Sequence, residues 1–394
     1  MFKKLEKIKY NKRTIAKGIV FCQQTYSVSK VQTTNLYWLE ISKNFCRFHL
    51  LNQLHKLPIL EITKKFQSTN PNLEILAAIN IGSFYLVDQG PKPKLHSYNL
   101  MVKDGLVCQL PSNNRPALVT SNGTLKTFLL NSTGSLIIGS KTIYWKGLNS
   151  KAETENTVYG IFDIPIYVKS QGYRKIRYTN RESAQINCSP KETLLGFRKI
   201  HNKIAVAGIN QKLNLFDYFF IMKCSKNIAK NIQIGDRVNK IQIGRKIIAT
   251  SDNWSSSIFS FKPSLKDSVL SIPKQIVPSQ SGIHKPLNND YRKSWSILLE
   301  TIDNKIILFL NDARPKVKGQ EGMNFKELHH LLKTKFKFQK GFCLDSGQTS
   351  KLVVRLNNKF RVFGNKHYLN FKYYPPKWDG INGRDIPSAL IIYK

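Results

Sequence analysis

Acidic residues are scarce in this chain. Its 394 residues carry 24 Asp and Glu against 62 Lys and Arg, a formal charge of +38. An AT-rich coding bias explains abundant Lys, Asn and Ile, but not the missing acids, whose codons can also be AT-rich. The imbalance points toward anionic partners, such as nucleic acid, lipid head groups or phosphorylated glycans, through an attraction that salt weakens. Specific nucleic-acid recognition is not expected. The lysines are spread along the chain, and no zinc finger, RNP or helix-turn-helix signature accompanies them.

Other absences exclude further classes. No apolar run reaches about 18 residues, so no membrane-spanning helix is expected. The six cysteines form no C-x-x-C pair, and their long, irregular separations suit small buried thiols rather than a metal site. His329 and His330 adjoin and so point apart, where a metal pair needs i, i+3 or i+4 spacing. No Ser-His-Asp order and no G-x-S-x-G elbow is present. Neither a metal nor a cofactor is expected. The chain opens with a basic stretch (residues 1–9) and a short apolar one (14–22) broken by Lys17, the pattern of a degraded signal peptide.

What is present suits a packed domain. The chain is 41% hydrophobic and 11% aromatic, enough to bury a core. Residues 1–65 read as a basic extension or a set of edge strands, with strand-like alternation at 36–41 and 45–51. A main domain over 66–394 follows. Within it, 73–81 reads as a strand buried on both faces, and 100–107 as a hairpin about Asp104-Gly105. Many short strands are expected over 140–272, then a long loop over the Pro- and Ser-rich 273–290. Two apolar strands, 296–300 and 305–310, meet at Asp303-Asn304. Phe325, Leu328, Leu331 and Leu332 recur at helical spacing, so 324–335 reads as an amphipathic helix with Asn324 near its start and its charged and His residues facing solvent. The fold class is α+β: strand-rich, with a few helices packed on mixed sheets.

Two segments combine an apolar run with a Gly-centred polar turn, AAINIGSF (77–84) and LDSGQTSKL (344–352). A buried strand that ends in a tight loop reads this way, and such loops carry chemistry more often than the strands do. Between them come Arg292 ahead of an apolar strand, Asp312-Ala313-Arg314, and Gly322-Met323 followed by Glu327-Leu328. A closing GRDIPSALII (383–392) follows.

In this order the segments resemble the phosphodiester glycosidase family. Its signatures read approximately N-G-G-F-F, D-G-R, G-M-x-x-x-E-L, D-G-G-G-S-S and R-x-V-P-x-A. The resemblance covers about residues 66–394. It implies a hydrolase that cleaves a sugar from a sugar phosphodiester of a glycan or glycolipid, in a secreted or luminal setting. The departures are Ile81, Ser83, Ala313, and Ser346 and Gln348 within the last run, at positions where the family has Gly or an aromatic residue. A side chain in place of Gly narrows the backbone and fills space beside a substrate. A non-catalytic relative that binds an anionic polymer or membrane face through its basic surface is therefore the alternative.

The resemblance also implies roles. The leaving group of such a reaction is a phosphate monoester, so the site must hold its charge and set water or a carboxylate against the sugar. Arg292, Arg314 and Arg384 are the candidate phosphate ligands, since a guanidinium pairs bidentately with phosphate. Asp345 and Asp312, each just after an apolar strand, are the candidate base, nucleophile or orienting carboxylates; locally, Asp345 can instead cap its turn and Asp312 can pair with Arg314. Asn80 is placed to bond a sugar hydroxyl or phosphate, or to hold the second loop. Thr349 and Ser350 are candidate hydroxyl donors to phosphate, or members of a local turn. Glu327 fits a helix cap better than catalysis.

Overall fold

The computed structural model describes residues 7–29, 31–81, 84–86, 95–97, 101–103, 106–109, 115–130, 133–148, 156–160, 185–200, 203–243, 247–250, 268–271, 274–276, 292–313, 318–347, 349–364 and 386–394. The chain divides into two compact units: residues 1–83, 123–125 and 272–394 form the first, and 84–122 with 126–271 the second. No helix among the described residues is long and apolar enough to cross a membrane.

The first unit is built on two antiparallel sheets. Its elements are β1 (Lys7–Ala16), β2 (Ile19–Ser29), β3 (Gln32–Ser42), β4 (Arg47–Leu57), α1 (Ile59–Thr69), β5 (Ile75–Asn80), β6 (Lys274–Ile276), β7 (Trp295–Thr301), β8 (Lys305–Asn311), α2 (Phe325–Lys335), β9 (Phe338–Cys343), β10 (Lys351–Leu356), β11 (Lys359–Gly364) and β12 (Ile386–Tyr393). A seven-stranded sheet runs β1-β2-β3-β8-β7-β9-β6, and a five-stranded sheet runs β11-β10-β5-β12-β4. The 1–65 segment thus supplies strands to both sheets, with β3 in the interior of one. The expected boundary at 65/66 falls inside α1.

Period-two alternation explains why these sheets stack. In β3, Trp38 meets Phe336 at the end of α2 with ring centroids 6.0 Å apart, while its neighbour Tyr37 meets Phe363 of β11 at 5.2 Å. Phe21 of β2 also reaches Phe363, at 4.7 Å. One face of the seven-stranded sheet therefore lies against the five-stranded sheet and the other against α2. On the latter face, Trp38, Trp295, Ile297 and Phe309 pack with Phe325, Leu328, Leu331 and Leu332 of the helix. Helix α1 packs on β5, β10 and β12, with Phe66 stacked on His49 of β4 at 5.0 Å. Covered from both sides, β5 is buried at every position.

The second unit holds five-, four- and five-stranded sheets and two short ribbons among the described residues. Its core gathers Leu136, Trp145, Phe197, Phe220 and Met222, with Phe197 and Phe220 stacked at 4.3 Å. The many short strands expected over 140–272 are found here, and Met101–Lys103 pairs antiparallel with Leu106–Gln109, as the expected hairpin requires, while 104–105 lie outside the described residues.

Several expectations are corrected. The sheets are not broadly mixed: Gly147–Leu148 beside Thr157–Gly160 is the one parallel pair among the described strands. Most strands here follow hairpins or pass between sheets, and a parallel pair needs a longer crossover. Helix α1 interrupts what read as an extension; Ile59, Ile62 and Thr63 form its buried side. In α2, His329 is buried rather than solvent-facing and stacks on Phe325, because the helix lies deep enough against the sheet to cover a fourth column of side chains. In the expected 273–290 loop, Lys274–Ile276 forms β6, and 277–290 lies outside the described residues. Cys22, Cys224 and Cys343 are buried, and no disulfide occurs among the described residues.

Asn324 caps α2 with a full capping box, its side chain accepting from the Glu327 N–H and Glu327 accepting from the Asn324 N–H. Leu328→Ala removes a fully buried side chain from the helix–sheet contact and is expected to cost about 2–5 kcal/mol. Asn324→Ala should cost about 1 kcal/mol. Trp38 and Trp295 flank the helix, so tryptophan fluorescence during denaturant unfolding should rank the two variants in that order.

Candidate active site

The second Gly-centred segment is the crossover between the two sheets. Trp295 pairs with Asn311 and Ile297 with Cys343, so the start of β7 and the ends of β8 and β9 share one end of the seven-stranded sheet. From there residues 344–350 carry the chain into β10 of the facing sheet. Asn80, the last residue of β5, lies at the same end of that second sheet.

Asn80 is 1% exposed and its amide makes three hydrogen bonds at the crossover. Its Nδ2 donates to the Asp345 carbonyl at 2.6 Å; its Oδ1 accepts from the Ser296 hydroxyl at 3.0 Å and the Lys351 N–H at 3.1 Å. Backbone bonds complete the clamp: Leu344 N–H to Ser296 O, Asp345 N–H to Ile81 O and Gly347 N–H to Ser294 O, each 2.8 Å. Ile81 is fully buried. Gly347 has φ +90°, and an added Cβ would meet no described atom within 4 Å. This glycine is required by the backbone conformation rather than by crowding.

Asn311 is a second buried brace, one that sequence reasoning missed. Its Oδ1 accepts from the Trp295 N–H at 2.9 Å, and its Nδ2 donates to the carbonyls of Lys293 and Asp312 at 3.2 and 3.1 Å. The signal available was a polar residue closing an apolar strand, the same pattern that drew notice to Asn80.

The candidate carboxylates leave neighbouring exits of one sheet. Asp345 follows β9 and is half-buried. Asp312 follows β8, is 3% exposed, and accepts the Ala313 N–H at 2.8 Å, closing a local turn. Arg292, ahead of β7, forms a two-pronged ion pair with Glu327 at 2.8 and 2.5 Å and donates to Gly322 O at 3.2 Å. It links the β7 entrance to the cap of α2. Arg314 and Arg384 lie outside the described residues, as do Gly82, Ser83 and Gln348.

Three polar groups at this end make no side-chain hydrogen bond among the described residues. Thr349 and Ser350 are 4% and 0% exposed, and neither hydroxyl has a hydrogen-bond partner among the described residues. A buried hydroxyl without a partner costs about 1–3 kcal/mol, so two adjacent ones mark a place where an incoming acceptor gains binding energy. The third group is Lys293, also missed from sequence. Its ammonium sits 4.1 Å from the Trp295 ring centroid. Burial pulls its pKa below the ordinary value, and the electrostatic influence of Cys343 and Asp345 partly opposes that shift. Among the described residues no three His, Cys, Asp or Glu side chains converge as a metal site would require. The polar groups gathered at this end are two hydroxyls, one ammonium and the Asp345 carboxylate.

No protein-family profile matches the chain, and no curated protein matches it. Solved structures do. A hypothetical protein from Synechocystis aligns over 98% of this chain at 14% identity and a TM-score of 0.53. The chain spans 64% of that protein's length. A presumed exported protein from Burkholderia pseudomallei K96243 aligns over 92% of this chain and 74% of its own, at 12% identity and a TM-score of 0.48. The catalytic domain of zebrafish N-acetylglucosamine-1-phosphodiester alpha-N-acetylglucosaminidase, auto-inhibited by its pro-peptide, aligns over 98% of this chain and 86% of its own, at 11% identity and a TM-score of 0.36. The Synechocystis likeness is one of fold. The expected phosphodiester-glycosidase kinship has only a weak, distant structural counterpart.

Two substitutions test the site's construction. Asn80→Ala orphans the Lys351 N–H and the Ser296 hydroxyl and should destabilise the chain by several kcal/mol, at about 1–3 kcal/mol for each orphaned group, as read by thermal melting. Lys293→Met should be more stable than the native chain at neutral pH, because the folded site resists the charge that the unfolded chain carries. Between the lowered folded pKa and the ordinary 10.5, the unfolded state binds the extra proton and native stability climbs with pH. The variant's advantage should therefore shrink as the pH approaches 10.5 in paired melts.

Proposed function

We infer that the chain is a hydrolase that cleaves a sugar from a sugar phosphodiester of a glycan or glycolipid. The observation that carries this reading is the pair of buried, partnerless hydroxyls of Thr349 and Ser350 in the crossover that also holds Asp345. Cleavage breaks the bond between the anomeric carbon and the phosphate oxygen, and the departing monoester keeps the electron pair. Two hydroxyl donors and the Lys293 ammonium suit the growing negative charge on that group. Asp345 is assigned the role of nucleophile or of base toward water, and Asp312 that of orienting the sugar. Arg314 and Arg384 are assigned to the phosphate on their family-like positions alone. Arg292 acts through its pair with Glu327, bracing the β7 entrance that bears Lys293.

The rival reading is a relative without catalysis that binds an anionic polymer or membrane face. The charge of +38 and the side chains of Ile81 and Ala313, where the family has glycine, favour it.

Hydrolysis of a panel of sugar phosphodiesters by the purified chain separates the two. Turnover should appear on at least one substrate and fall at least about a hundredfold in Asp345→Asn, the scale of losing a positioned acid or base. Turnover that survives Asp345→Asn overturns the assignment of that residue. An inert chain that binds anionic polymer with an affinity falling steeply as salt rises points to the rival reading.

A further inference from the structure

At the opposite end of β5 and β10 from the candidate active site, the first unit has an open cavity of about 210 Å³. Arg13 of β1, Glu74 and Leu76 at the start of β5, and Arg355, Asn357 and Asn358 at the β10–β11 turn line it. The five Cα steps of β10, roughly 17 Å at 3.4 Å per residue, separate this cavity from the crossover. It is a distinct place on the molecule.

The hairpin sequence builds the cavity. Asn357 and Asn358 both have positive φ, 51° and 60°, as a two-residue turn between twisted antiparallel strands demands and as asparagine tolerates. The turn presents Asn357 to the edge strand, where its side-chain oxygen accepts from Arg13. That bond occupies one corner of the Arg13 fork and leaves other donors open. Among the described residues, Arg355 and Glu74 have no side-chain hydrogen bond or ion pair. Two guanidiniums and one carboxylate thus share a small cavity without neutralising one another.

We propose that this cavity is a second binding site, selective for a phosphorylated sugar. The two guanidiniums match the oxyanion, since each offers paired donors to phosphate oxygens. Glu74 can accept from sugar hydroxyls, and the asparagine amides both donate and accept. A bare polyanion would leave Glu74 opposed to its charge, whereas a sugar ring uses it. The volume lies below the roughly 300–1,000 Å³ of drug-sized ligand sites, which suits one ring with one charged group. This inference does not depend on hydrolysis at Asp345.

Calorimetric titration of the full chain with glucose 6-phosphate, inorganic phosphate and glucose tests the site. Glucose 6-phosphate should bind more tightly than either of the others. Arg355→Gln and Arg13→Gln should each weaken it about tenfold, in line with losing one charge-assisted contact. Glu74→Gln should narrow the preference over inorganic phosphate. Lys326→Gln, on the exposed side of α2, should leave the affinity unchanged. Binding that ignores both arginine substitutions, or falls as much in Lys326→Gln, means general attraction to a basic chain and overturns the proposal. No binding of any of the three probes overturns it as well. Equal affinity for inorganic phosphate, unmoved by Glu74→Gln, overturns the sugar selectivity.

Discussion

The amide of Asn80 ties the two sheets of the first unit together where the chain passes from one to the other. A crossover between packed sheets exposes backbone N–H and C=O groups that no ladder can satisfy, and their burial is costly unless another group supplies the bonds. Asn80 supplies two of them from one side chain, to the Lys351 N–H at the start of β10 and the carbonyl of Asp345, and also accepts from the Ser296 hydroxyl of β7. Asparagine suits the position because its short side chain offers both an acceptor with two lone pairs and a donor. The position of Asp345 in space follows from this brace, and those of Thr349 and Ser350 follow from the turn that it anchors.

Around that brace the polar groups divide into satisfied and unsatisfied sets. Asn80, Asn311, Ser294 and Ser346 spend hydrogen bonds on the backbone, and the Ser296 hydroxyl donates to the Asn80 side chain. The hydroxyls of Thr349 and Ser350 are buried and Lys293 is half-buried, none with a hydrogen-bond partner among the described residues. A fold tolerates such costs when the rest of its core is well packed, and perturbed groups of this kind gather at functional sites. The packing that supports them is visible on both faces of the seven-stranded sheet, from Trp38 against Phe336 to Tyr37 against Phe363.

Cation placement follows the same division. Arg292 is engaged by Glu327 and serves the frame. Lys293, its neighbour, rests on an aromatic face beside Asp345, where the ring's negative quadrupole replaces part of the lost hydration. Arg13 and Arg355 face a cavity at the other end of the same sheets. The excess of basic residues is thus in part a set of specific placements, beyond a general surface charge.

The sequence by itself determined the periodic elements. The all-apolar run before Asn80 specified a strand covered on both faces, and Asn324 with Phe325, Leu328, Leu331 and Leu332 specified a capped amphipathic helix, because these signals reside in neighbouring residues along one chain. It also marked Asn80 and the 344–352 turn as a related pair. Only the tertiary structure decided what those residues do. Asn80 became a brace rather than a ligand-facing amide because Ser296 and Lys351, hundreds of residues away, close on it. His329 became a core residue because of the depth at which its helix lies on the sheet, and Lys293 became a half-buried cation seated on the Trp295 ring. Burial and hydrogen-bond satisfaction are properties of contacts distant in sequence, and local pattern carries no record of them.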